Sequence, residues 1–196
     1  MTTREGQPKE WDAARYDRLS DPQFTWGLRV LERLELRGDE QILDVGCGSG
    51  RLTREQASRL HSGGVVGLDR SENMARTASE ALGHTSPVVC ADALAIPFVG
   101  AFDVIFSTAT FHWVLDHARL FRSLYGVLRT GARLEAQCGG GANLERVHAR
   151  ALELKASERF RRYFRDWKSP WNYAAPAETA ERLRQAGFRS IHCWLE

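Results

Sequence analysis

Residues 42–50 of this 196-residue chain read ILDVGCGSG, and their types and spacing could do chemistry. Ile42 to Val45 read as a buried parallel strand. Gly46, Gly48 and Gly50 follow at alternate positions, and the segment from Arg51 reads as a helix. A glycine-rich turn between strand and helix lets a ligand lie against bare backbone, because glycine tolerates positive φ. The helix start adds unpaired N–H groups and the positive end of a dipole. Asp69 ends the next strand, VVGLD, at the separation expected for a carboxylate that grips a ribose diol. The chemistry implied is recognition of a nucleoside-bearing ligand.

The glycine spacing narrows that ligand. The dinucleotide fingerprint G-x-G-x-x-G places its third glycine five positions after the first, and here Arg51 stands there. That counts against a nicotinamide-dependent oxidoreductase, the second reading. The run from Asp44 to Gly50, D-x-G-x-G-x-G, instead resembles the first motif of the class I methyltransferases that use S-adenosylmethionine. The resemblance implies S-adenosylmethionine as cofactor and S-adenosylhomocysteine as product. Asp44, Gly46, Cys47, Gly48 and Gly50 would host the methionine part, and Asp69 with Arg70 the ribose.

Further segments carry the same resemblance. VVCADALAIPF, at 88–98, is similar to the family's adenine-binding stretch. Asp92 would accept from the adenine amino group and the Ala93 N–H would meet a ring nitrogen. The plainer reading of Asp92 is a surface residue capping a turn. Met74 would lie against the adenine face, or belong simply to the core. FDVIFSTATFHWVLDH resembles the fourth motif, with Ser107 and Thr108 at the carboxyl end of a strand beside the reacting methyl. In open α/β sheets ligands bind at that edge. His112 and Trp113 follow, in a pattern similar to a small-molecule branch that methylates trans-aconitate, juvenile-hormone acid or malonyl carrier protein. His112 is the candidate catalytic residue, as a general base or a substrate hydrogen-bond donor, with a structural role as the alternative. EWDAARYDRLSDPQFTW resembles the family's lid helix, where Trp11 and Tyr16 would flank the cofactor's sulfonium or its methionine tail. Trp26 reads as a staple between helix and core. The resemblance covers residues about 11–138 well and the rest loosely.

The stretch 158–173, ERFRRYFRDWKSPWNY, interleaves arginine with aromatic residues. A solvated basic helix face is one account. Another is a cap over an anionic substrate, with Arg162 as its guanidinium, since that fork fits a carboxylate. Nucleic acid is a third.

These residues need elements to position them. Two helical segments are expected over 11–36, the second from about Pro22 to Leu36. Strands are expected at 41–45, 64–69, 87–91, 102–107 and 133–138, with helices at 51–61, 72–82 and 117–128 between them. Alternation of apolar strands with helices predicts a Rossmann-like, doubly wound α/β fold with a mostly parallel sheet. Residues 144–166 read as a long arginine-rich helical stretch, with Asn143 as its cap. A helix at 176–186 ends at Gly187, and FRSIHCWLE reads as a sixth strand. The family's sheet has seven strands, so the last is missing, and either the chain is shortened or a partner completes the edge. The chain thus reads as one methyltransferase domain over 1–196. Its parts are lid helices at 11–36, a cofactor-binding core at 40–138, a cap at 139–175, and a helix and strand at 176–196.

Bulk properties agree with this. An apolar fraction of 43% and a net charge of +2 suit a globular domain and argue against a general nucleic-acid binder. No run is long enough to span a bilayer, and MTTREGQPKEW lacks a signal peptide's apolar core. The opening ten residues read as polar and mobile. Cys47, Cys90, Cys138 and Cys193 form no CxxC pair; they read as buried thiols of a reducing cytosol, with no metal site. The expected partner is a small-molecule substrate, without nucleic acid or membrane, for a cytoplasmic monomer or homodimer. A non-catalytic protein that keeps the cofactor fold is the remaining alternative.

Overall fold

A computed structural model describes residues 10–196. The expectation of a mobile opening stretch therefore falls, Glu10 apart, outside the described residues. Five strands form one sheet: β1 (Gln41–Val45), β2 (Gly64–Asp69), β3 (Val88–Cys90), β4 (Phe102–Thr108) and β5 (Leu128–Gln137). All pairings are parallel, and the order is β3-β2-β1-β4-β5. Helices α1 (Ala13–Leu19) and α2 (Asp21–Arg33) precede the sheet. Then α3 (Arg51–Ala57), α4 (Glu72–Leu82), α5 (His117–Val127), α6 (Glu145–Ala156) and α7 (Pro176–Ala186) follow the strands.

The central strands are apolar throughout because both faces are covered. Ile42, Val104 and Phe106 face one cluster with Val30, Leu31 and Leu34 of the α2 region. Leu43, Val45 and Ile105 face the other, with Leu120, Phe121, Leu124 and Val127 of α5 and Leu183 of α7. On α5 the buried stripe is Leu120, Phe121, Leu124 and Val127, with His117 at its start. Trp26 is not a staple: it stands on α2 and is 47% exposed.

The chain passes from β1 outward through β2 to β3, then returns to place β4 on the other side of β1. The connections leaving β1 and β4 therefore diverge, which opens a crevice at their carboxyl ends.

Three expectations fail towards the C-terminus. The helix expected over 144–166 stops at Ala156, where Ser157 turns extended (φ −61°, ψ 150°) and its hydroxyl donates to the Leu154 carbonyl at 2.6 Å. Since α6 buries no residue, no packing holds further turns. Asn143 does not cap α6; Leu144 occupies that position with φ +57°, and Asn143 hydrogen-bonds Tyr173. FRSIHCWLE forms no strand. Ser190 enters the left-handed region (φ +53°) and breaks the extended run, while Phe188, Ile191 and Cys193 still pack on the core beside α7. The helix at 176–186 does end on Gly187, at φ +110°. Of the four free cysteines only Cys47 is buried; Cys90 is exposed because β3 is a short edge strand.

Candidate active site

The turn after β1 is built on three left-handed glycines, with φ of +77° at Gly46, +58° at Gly48 and +85° at Gly50. A Cβ on Gly46 would fall 2.1 Å from Thr110 Oγ1, so the turn seats directly on the loop after β4. A Cβ on Gly48 would meet only the Tyr16 ring, at 3.9 Å. Asp44 lies beneath, 2% exposed, accepting from Thr53 Oγ1 at 2.7 Å and Gln56 Nε2 at 2.9 Å. These bonds clamp α3 to β1. Asp44 is thus placed as a support for the turn, below the cleft rather than in its lining.

Asp69 bridges two loops. One carboxylate oxygen accepts from the Gly48 N–H and the other from the Ser71 N–H, both at 2.9 Å. The Arg70 N–H is a third backbone donor to the same carboxylate. Burial pushes the carboxyl of Asp69 up and that of Asp44 to about 6, and each is raised further by a neighbouring acid. The Cys47 thiol is raised by burial and then by Asp44 and Asp69. The turn is therefore an electronegative place. Arg51, its adjacent cation at the edge of the cleft, is engaged by other groups: it donates to Asp21 at 3.0 Å and to the Asp17 carbonyl at 3.4 Å, and lies over the Phe24 ring.

Helix α1 and the segment before it pack over this turn. Ser49 donates to Asp17 of α1, and Tyr16 lies over Gly48 with its hydroxyl pKa raised by burial and by Asp69. Glu10 accepts from the Ser71 hydroxyl at 3.0 Å and the Asn73 N–H at 3.2 Å, which pins the segment before α1 to the start of α4. Between α1, the start of α2 and the turn lies a small cleft, lined by Tyr16, Ser20, Gln23, Phe24, Gly46, Cys47, Gly48, Ser49, Arg51, Leu52, Thr108 and Ala109.

Other expected residues lie outside the lining of this cleft. Ser107 is 1% exposed and donates to the Val45 carbonyl at 2.7 Å, tying β4 to β1. Met74 is 3% exposed and Ala93 7%. Asp92 caps its own turn through the Leu94 N–H at 2.9 Å and pairs with Arg70 at 3.5 Å, so both residues stand at the carboxyl side of β2 and β3. Arg162 is not brought to the cleft: it sits on an exposed 3₁₀ turn, Arg161–Tyr163, and donates to the Tyr163 hydroxyl.

Trp11, Tyr16, His112 and Trp113 do come together. Trp11 meets Tyr16 edge-on at 5.9 Å and Trp113 at 5.2 Å, and His112 lies 5.3 Å from Trp113 and 5.7 Å from Tyr173. Trp171 and His148 extend this aromatic layer. Nδ1 of His112 accepts the Gly139 N–H at 3.1 Å, and burial lowers its pKa to about 4, with His117 adding to the effect. His112 is therefore a neutral ring with its proton on Nε2.

Ser20, Gln23, Phe24 and Ala109 also line the cleft and were not singled out in the sequence, where the segment before β1 was read for Trp11, Tyr16 and Trp26. Ala109 follows β4 at φ +53°, a backbone strain that no local pattern announces.

Residues 43–136 match the family model described as a methyltransferase domain. An uncharacterized methyltransferase of Schizosaccharomyces pombe is 31% identical over 91% of this chain and 70% of its own length. The chain belongs to the S-adenosylmethionine-dependent methyltransferases. Trans-aconitate 2-methyltransferase of Variovorax paradoxus is also 31% identical, over 89% of this chain. The chain spans 62% of that relative. Among solved structures, phosphoethanolamine N-methyltransferase 2 of Haemonchus contortus, in complex with S-adenosylmethionine, shares the fold with a TM-score of 0.69. Its identity is 22%, over 92% of this chain and 42% of its own.

The site of this methyltransferase fits its cofactor. S-adenosylmethionine carries two positive centres, a sulfonium and an ammonium, and no phosphate. Asp44 and Asp69 make the turn suited to positive charge, the cation at the cleft, Arg51, is already paired with Asp21, and Gly48 leaves room for a ligand under Tyr16.

Proposed function

We propose that this methyltransferase transfers the methyl group to the carboxylate of a small acid. The observation that carries this reading is the state of His112. A hydroxyl, amine or carbon acceptor needs a proton removed, whereas a carboxylate arrives ionised. With Nδ1 engaged by Gly139 and its pKa near 4, His112 is a donor and not a base. Its Nε2–H can hold a carboxylate oxygen. The likeness to trans-aconitate 2-methyltransferases supports the same class.

When bound, the cofactor supplies an already activated methyl. The protein's part is alignment and dryness. The glycine turn and Asp69 hold the donor side, while Trp11, Trp113 and Tyr173 wall the acceptor side against water. Orienting two reactants in this way supplies several kcal/mol, ~7–11 at best.

The test is transfer of radiolabelled methyl to trans-aconitate and related small polycarboxylic acids, run beside phenols and amines. Labelled methyl esters from the acids alone are expected. Transfer confined to a phenol or an amine would defeat the reading. His112→Ala should cost less than about tenfold in kcat with the acid, whereas loss of a general base costs about 10²–10⁴-fold.

The pH profile gives a second check. An ordinary histidine base loses activity below its pKa of ~6.5. His112 stays neutral down to about 4, so kcat/KM for the acid should stay level from pH 8 to pH 6. Stability moves with the same sign. The folded pKa lies below the unfolded one, so this group's contribution is full above ~6.5 and is lost as pH falls towards 4.

A further inference from the structure

We propose that the side-chain amide of Gln23 accepts a hydrogen bond from the α-ammonium of the cofactor's amino-acid tail; the inference rests on the cofactor site described above. Gln23 stands in the first turn of α2 and lines the cleft opposite Gly46, Cys47 and Gly48. Its Oε1 is buried and has no hydrogen-bond partner among the described residues. Two other buried side-chain atoms share that condition, Gln56 Oε1 and Ser86 Oγ, and neither residue lines the cleft. A buried acceptor without a donor destabilises the fold. In a ligand-binding cleft the missing donor belongs to the ligand.

The surroundings say what kind of donor. Asp44 and Asp69 lie behind the same turn, each made harder to ionise by burial and then by a neighbouring acid. The cation beside them, Arg51, is directed to Asp21 and Asp17. A positively charged donor entering here meets unbalanced negative charge and an unfilled acceptor together. An ammonium has three N–H donors. It can use one on Gln23 Oε1 and keep others for the turn.

The experiment compares two ligands on three variants by calorimetry. S-adenosylhomocysteine carries the ammonium; 5′-methylthioadenosine keeps the nucleoside and thioether but lacks the amino-acid tail. In Gln23→Leu, S-adenosylhomocysteine should bind roughly tenfold to hundredfold more weakly, the range of one hydrogen bond to a charged group. Methylthioadenosine affinity should stay unchanged. Gln23→Glu keeps an acceptor oxygen and should restore most of the lost affinity, while Gln23→Ala should behave as the leucine variant. The melting temperature of Gln23→Leu should not fall, because the change removes an unsatisfied buried acceptor. Equal losses for both ligands, or no loss for either, would overturn the assignment, and so would a lower melting temperature with intact affinity. If the unaltered protein binds neither ligand, the cofactor site fails and takes this assignment with it.

Discussion

Asp69→Ala should lower affinity for S-adenosylhomocysteine by about two orders of magnitude or more. The carboxylate ends β2 and already receives the Gly48 and Ser71 N–H groups, one on each oxygen. The Arg70 N–H is a third backbone donor, and a carboxylate held in this way at the end of the second strand is placed to meet the hydroxyls of a ribose. Hydrogen bonds to a charged acceptor contribute roughly 1.5–3 kcal/mol each, so losing two weakens binding by about 10²–10⁴-fold. A second loss adds to the first, because Gly48 is then no longer tethered to β2 and the turn that holds the amino-acid tail loosens. Calorimetry on a variant shown by circular dichroism to be folded reads the effect. Unchanged affinity would remove Asp69 from the ribose site.

Gly46 and Gly48 stand two residues apart, yet alanine should act differently at each. At Gly46 the added Cβ falls 2.1 Å from Thr110 Oγ1 and 2.4 Å from its Cγ2. Thr110 cannot easily retreat, since its hydroxyl is bound to the Thr108 carbonyl at 2.9 Å. Overpacking of ~1–3 kcal/mol and a left-handed penalty of ~1–2 kcal/mol combine there. Gly46→Ala should therefore lower the melting temperature by about 5–15 °C. At Gly48 the new methyl meets the Tyr16 ring only at 3.9 Å, so the fold loses little beyond the left-handed penalty of ~1–2 kcal/mol. That methyl occupies the cleft instead. Gly48→Ala should keep most of its stability and lose S-adenosylhomocysteine affinity by roughly tenfold or more, the equivalent of about 1.4 kcal/mol. Thermal unfolding and calorimetry on both variants separate the two effects. The reverse ranking would contradict the geometry of the turn.

The parts of this molecule legible in its sequence are those fixed by local pattern. β2 and α4 lie where their patterns put them, because an apolar run bounded by turns and a capped amphipathic stretch are local signals. The core of the sheet was legible for the same reason: Leu43 and Ile105 serve one face while Ile42 and Val104 serve the other. What escaped depends on partners distant in sequence. Asp44 reads as a ligand contact until Thr53 and Gln56 are seen on the face of α3 above it, bonded to its carboxylate. Ser107 reads as a pocket residue until its bond to Val45 is seen. The arginine-rich stretch looks helical to its end, yet α6 has nothing buried to sustain it past Ala156. His112 was legible as a site residue, but the choice between base and donor required the Gly139 N–H.

The central claim is that the turn after β1 holds an amino-acid tail while Asp69 holds the sugar. A crystal structure of this protein with S-adenosylhomocysteine tests it most directly. The account predicts both ribose hydroxyls on the Asp69 carboxylate, the tail against Gly46 and Gly48 beneath Tyr16, and the adenine towards Asp92. A nucleoside bound elsewhere, with the cleft under Tyr16 closed by the protein's own side chains, would contradict it.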